Sequence, residues 1–169
     1  MKKFLSVLGI VFGLLLVSPV CVMADGQDDI DKIKTITEIG KLSNSGKYDS
    51  ALEKCEIAIK KYPKDYELYY WRASIKSNMG NNKEAIKDYT EAIKINPKDG
   101  VAYVMRGISK AELKDYDGAI ADYNHAIMID PKDGSAYSMR ACAKLDIGDM
   151  DGAAKDLQIA NKLFDEEKK

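Results

Sequence analysis

From residue 32 onward the apolar and polar positions keep a steady rhythm. In GVAYVMRGISKAELKDYDGAIADYNHAIMIDPKD, residues 100–133, Ala102, Met105 and Ser109 recur at three- and four-residue spacing, flanked by Tyr103, Gly107 and Lys110. That spacing is one face of an α-helix and predicts a helix over roughly 101–113. A second set, Ala119, Ile120, Tyr123, Ala126 and Ile127, predicts another over roughly 117–129. Lys114-Asp115 is the expected turn, with Asp117 able to cap the second helix. Asp130-Pro131 ends the pair, because proline lacks an N–H and disfavours helical backbone before it.

The unit repeats every 34 residues: Pro63, Pro97 and Pro131 keep that spacing, as do Tyr69, Tyr103 and Tyr137, and Ala51, Ala85, Ala119 and Ala153. Such a period marks stacked repeats, here 32–65, 66–99, 100–133 and 134–167. Where the third copy turns on Lys114, the others have Gly46, Gly80 and Gly148, which end a helix in left-handed backbone at little cost.

The recurring positions resemble the tetratricopeptide repeat. The small residues and proline of that pattern are Ala73, Ala85, Ala92 and Pro97 in one copy, and Gly107, Ala119, Ala126 and Pro131 in the next. Its large positions are Tyr103, Tyr116 and Tyr123. The resemblance implies an all-α, right-handed α-solenoid of antiparallel helix pairs. It also implies a concave groove, lined by the first helix of each pair, that holds peptides. Carried onto this chain, the groove is Tyr70, Ser74 and Asn78, then Val101, Val104 and Ile108, then Ser138 and Cys142. Val101, Val104 and Ile108 form an apolar centre that suits a partner, or that simply fills gaps. The basic clamp with which some relatives grip acidic chaperone tails is absent. Its places hold Ile36, Tyr70, Val104 and Ser138, and Gly40, Ser74, Ile108 and Cys142.

Charge adds a register device. Arg72, Arg106 and Arg140 stand 16 residues before Asp88, Asp122 and Asp156. Antiparallel helices bring those positions opposite one another, which predicts one ion pair per hairpin. The first copy inverts the signs with Glu38 and Lys54. As partly exposed pairs they would add about 0–1 kcal/mol each and act mainly on register. The functional alternative is an arginine ladder for an anionic ligand. At the end of the array Ala154 and Asn161 replace the isoleucines of earlier copies, so the fourth copy is expected to be its own cap.

The net charge of −1, with 31% charged residues, argues against a nucleic-acid binder, which presents a basic face. The single histidine, His125, is expected at the surface, and no metal pair or nucleophilic triad can be assembled around it. Asp115 and Asp117, and Asp149 and Asp151, read as turn formers rather than paired catalytic carboxylates. No cofactor is expected. Cys55 and Cys142 lie too many copies apart to bridge and are expected as buried or half-buried thiols.

Residues 1–24 differ from the rest. Lys2 and Lys3 precede an apolar run from Phe4 to Val17, and Val22-Met23-Ala24 closes the stretch. This reads as a secretory signal peptide cut after Ala24, the run being short for a span of about 20 residues. An uncleaved anchor and lipid attachment at Cys21 are the alternatives; Val20 fits the latter poorly. Residues 25–31, DGQDDID, are expected to be a frayed acidic leader. The expected function is an exported, periplasmic or secreted scaffold that binds a protein or peptide in its groove and is not an enzyme. No nucleic acid or small-molecule substrate is expected, and contact with a membrane only through an uncleaved signal segment. The alternative is a structural subunit of a bacterial envelope assembly, packing through its ends.

Overall fold

A computed structural model describes residues 19–167 of the chain. Most of the expected signal segment, residues 1–18, lies outside the described residues. The described residues form eight α-helices and no strand: α1 (Pro19–Asn44), α2 (Tyr48–Lys61), α3 (Tyr66–Asn78), α4 (Asn82–Ile95), α5 (Gly100–Glu112), α6 (Tyr116–Ile129), α7 (Gly134–Asp146) and α8 (Met150–Glu167). None of the described helices is long and apolar enough to cross a membrane.

Two units are separated by their contacts, one ending at Lys34 and one beginning at Thr35. In the first, the acidic stretch expected to fray lies inside α1. It is laced by Gln27 Nε2 donating to Asp31 Oδ1 at 2.9 Å and by Lys32 Nζ against Asp29 Oδ1 at 3.8 Å. Pairs three or four residues apart on a helix support it by a few tenths of a kcal/mol each, which the composition reading underweighed.

The second unit is the predicted all-α solenoid. Helices α3 and α4, α5 and α6, and α7 and α8 pack as hairpins, and α4 and α6 also pack on the first helix of the next hairpin. Each hairpin begins with an aspartate just ahead of its helix. Asp65 accepts from the Glu67 amide at 3.0 Å, Asp99 from the Val101 amide at 3.1 Å and Asp133 from the Ser135 amide at 2.9 Å. At the next turn the cap is Asp115, accepting from the Gly118 amide at 3.1 Å, rather than Asp117, which sits in the first turn of α6. The helix begins one residue earlier than its apolar pattern suggests, so the capping place moves with it.

The core is narrow and built on alanine. Ala51, Ala85, Ala119 and Ala153 are fully buried, as are Ala73, Ala102, Ala136 and Ala141. Gly107, at one of the small positions of the repeat, lies against a tyrosine: a Cβ there would lie 2.6 Å from Tyr123 Cε1. Tyr123 and its counterpart Tyr89 are among the largest fully buried side chains.

The turns between paired helices use left-handed backbone at Gly46, Gly80 and Gly148, with φ of 73°, 80° and 84°. Lys114 holds the same place at φ 63°. A side chain there crowds the following carbonyl, so Lys114→Gly is expected to stabilise the chain by about 0.5–1 kcal/mol. A higher midpoint in urea checks this; a lower one would show that the lysine contributes more than its backbone costs.

Candidate functional site

The first helices of neighbouring hairpins touch, α3 against α5 and α5 against α7. Within the described residues no such contact joins α4 to α6 or α6 to α8. First helices therefore converge and second helices splay, so the first-helix face is the inner wall of this unit. Ser77 and Ser109 bridge α3 to α5 across it, with their hydroxyl oxygens 3.3 Å apart.

The sequence-derived groove residues fall on this wall with unequal exposure. Val101 is 55% exposed, Asn78 and Cys142 are exposed, and Tyr70, Ser74, Ile108 and Ser138 are half-buried. Val104 is different. At 7% exposure it belongs to a core cluster with Ala119, Tyr123, Ala126, Ala136 and Ala143. The apolar centre therefore splits: Val104 fills the interior while Val101 and Ile108 remain at the surface. One turn of helix separates Val101 from Val104, and the rotation of α5 against α6 decides which faces outward. Ser138 turns its hydroxyl back onto the Gly134 carbonyl at 3.0 Å. Cys142 is exposed rather than half-buried, because its place on α7 faces the open wall, whereas Cys55 is buried in the first core cluster. Burial pushes the Cys55 thiol up to about 12, so it is inert at neutral pH.

Behind the wall, the ion pairs are bidentate. Arg72 Nε and Nη2 donate to Asp88 at 2.9 and 2.6 Å, Arg106 to Asp122 at 2.9 and 2.7 Å, and Arg140 to Asp156 at 2.8 and 2.6 Å. A third partner was missed in the sequence. Lys76, Lys110 and Lys144 reach the same carboxylates at 2.6, 2.8 and 2.9 Å. Their own 34-residue spacing, four places after each arginine, was the signal that could have found them. The aspartates are only 3–7% exposed at their side chains, so these are buried triads and not the partly exposed pairs expected. The arginines also lie over Tyr69, Tyr103 and Tyr137, with guanidinium carbons 5.6, 5.5 and 5.3 Å from the ring centres. With one face of each guanidinium over a tyrosine and one edge on a carboxylate, the arginines are committed within their hairpins and do not form a free ladder for an anion. The inverted pair Lys54–Glu38, at 3.2 Å, stays exposed.

One consequence is pH dependence. Burial alone would raise the Asp156 pKa, but hydrogen bonds from Arg140 and Lys144 outweigh it and hold the carboxyl below its ordinary value. A carboxyl with a lowered folded pKa contributes stability that is present above the unfolded value, about 3.9, and is lost as pH falls through the folded one. The chain is therefore expected to lose stability on acidification below about pH 4. Asp156→Asn, less stable at pH 7, should show a shallower fall; an unchanged slope would exclude Asp156 as a contributor.

His125 is exposed, as anticipated, but is not solitary: its ring stacks on Tyr103 at 5.2 Å between centres. Among the described residues no group of three or more His, Cys, Asp or Glu side chains could hold a metal ion.

The wall also carries a cavity of about 400 Å³ in the third and fourth copies. Ile108, Ala111 and Met139 supply apolar lining, Glu112 and Asp146 carboxylates, and Tyr123 a phenol. The equivalent place in the second copy holds a tyrosine, Tyr70. There Tyr70 packs edge-on against Tyr89 with ring centres 5.7 Å apart, and the Tyr89 hydroxyl is enclosed beside Ser74 without a well-formed hydrogen bond. In the third copy Val104 replaces Tyr70, a smaller side chain that leaves space beside Tyr123.

Comparison with known proteins supports the repeat reading. A family model described as tetratricopeptide repeat matches residues 66–99 and 101–133. No curated protein matches the sequence. Among solved structures, MamA is similar at a TM-score of 0.76 and 21% identity, over 86% of this chain and 85% of that one. A thermophilic TPR protein of Thermus thermophilus is similar at 0.70 and 21% identity, over 79% and 75%. The first TPR of Spaghetti, bound to the HSP90 peptide SRMEEVD, is similar at 0.67 and 21% identity, over 69% and 93%. Residues 66–99 and 101–133 of this chain are thus tetratricopeptide repeats, within an all-helical solenoid.

Proposed function

We propose that the chain is a non-catalytic interaction scaffold that holds an extended peptide, or a peptide-like segment of a protein partner, along the inner wall of its solenoid. The observation that carries this is the convergence of α3, α5 and α7, with an open cavity between α5 and α7 and with Val101, two turns away on α5, left 55% exposed. Together with the partly exposed Ile108 and the apolar lining of the cavity, it gives this wall apolar surface that a partner would cover. That the first TPR of Spaghetti was solved with a peptide bound supports the mode, not the partner. The test is capture of partners by residues 25–169, with Val101→Glu as comparison. Val101→Glu should fold normally and lose the captured proteins. Equal capture by both chains would move binding off this wall.

A second reading has one observation in its favour. On α8, Leu157, Ile159 and Phe164 remain 40%, 40% and 37% exposed, although the end of the array was expected to be wettable. Packing through this end would make the chain a subunit of a larger envelope assembly. Under it, Asn161→Ile should promote end-to-end association and leave groove binding unaffected. We also place the work of the chain outside the cytoplasm, periplasmic or secreted, on the pattern of residues 1–24 alone. An exported form beginning at Asp25 is the expected result; a product retaining Met1 in the cytosol would overturn it.

A further inference from the structure

We propose that the cavity beside α5 and α7 is a pocket for a lysine or arginine side chain of a bound peptide, its stem on Ile108, Ala111 and Met139 and its cation between Glu112 and Asp146. This rests on the inner wall being a peptide groove, and it names the chemistry of what that groove selects.

Three observations converge. The first is charge. None of the groove residues from Tyr70 to Cys142 named above carries a charge, and the charged side chains that α5 and α7 add at the cavity, Glu112 and Asp146, are both carboxylates. Glu112 and Asp146 are exposed at the last turns of α5 and α7, and neither is ion-paired within the described residues. The second is shape. An apolar floor beneath a polar rim suits a long side chain with a charged tip, because the methylenes of lysine or arginine lie along apolar surface while the head stays at the rim. The third is a hydroxyl that meets no protein acceptor. Tyr123 is 2% exposed and lines the cavity, and its hydroxyl makes no hydrogen bond within the described residues. Burial, reinforced by the nearby Cys142, Asp122 and Glu112, raises the phenol well above its ordinary value, so it stays neutral. It can therefore donate to a peptide carbonyl that enters the cavity.

Lys114 is the one cation lining the cavity, against two carboxylates, so the pocket keeps a net negative charge. It should weaken binding of a cationic residue. Lys114→Gly is therefore expected to tighten it.

The test begins with selection of nonapeptides from a randomised display library on the full chain. Peptides carrying lysine or arginine beside an aliphatic residue should be enriched. One enriched peptide is then compared with its norleucine version, which keeps the stem and removes the charge. The loss on the native chain is expected to be about five- to tenfold, and to shrink to within about twofold on E112Q/D146N, as expected of exposed charge pairs. The peptide should also protect Cys142, in the same lining, from alkylation, while Cys55 stays unreactive throughout. Enrichment of neutral or acidic peptides that protect Cys142 would overturn the cation pocket and leave the groove standing. Enrichment of no peptide, or only of peptides that leave Cys142 reactive, would overturn both.

Discussion

Asp122→Ala is expected to destabilise the chain by about 3 kcal/mol, a large share of the roughly 5–15 kcal/mol available to a domain. The carboxylate is 3% exposed at its side chain and accepts from Arg106 at two places and from Lys110 at a third. Removing it leaves two cations side by side on α5, with little water to replace the carboxylate that α6 supplied. The figure sits at the low end for a broken buried pair because Arg106 and Lys110 keep 15% and 20% of their side-chain exposure. With a urea slope of about 1–3 kcal/mol per M, the midpoint should fall by about 1–3 M. The triple replacement Arg106→Met, Lys110→Met and Asp122→Leu should recover much of the loss, since an apolar cluster requires no desolvation of charge. A single-mutant loss below about 1 kcal/mol would show these to be surface pairs after all.

Val104→Glu is expected to cost at least about 3 kcal/mol and to leave much of the chain unfolded. The new carboxylate would enter a cluster of alanines and Tyr123 that offers no cation. Val101→Glu, one turn earlier on the same helix, should stay within about 0.5 kcal/mol of the native chain, because Val101 is already in solvent. The pair of measurements separates interior from wall on α5. Equal, small effects at both positions would put Val104 at the surface.

That contrast shows what the sequence could and could not deliver. The helices, their pairing and the opposition of Arg72, Arg106 and Arg140 to Asp88, Asp122 and Asp156 follow from a 34-residue period, and periodicity survives without coordinates. Val101 and Val104 are both valines on one helix, and only the rotation of α5 in its contacts with α6 and α7 tells which is buried. The burial of the aspartates was misjudged because charged residues are assigned to surfaces by default. A carboxylate served by three hydrogen bonds escapes that rule. The pocket was illegible for another reason: it is an absence of atoms. It arises where Val104 takes the place of a tyrosine, and no motif encodes missing volume.

In the last two hairpins the arginine places a further N–H outside its own ion pair. Arg106 Nη1 gives it to Thr90 Oγ1 at 3.1 Å, and Arg140 Nη1 to Asn124 Oδ1 at 2.6 Å, each on the hairpin before. Each such stitch ties the melting of one repeat to that of its predecessor. The earliest repeat holds the exposed Lys54–Glu38 bridge at the equivalent places and has no arginine of its own to contribute. Unravelling should therefore start at the amino end, with amides of α2 exchanging their hydrogens ahead of those in α5, α6 and α7. Cargo seated between the third and fourth repeats would rest on the part of the array that lets go last.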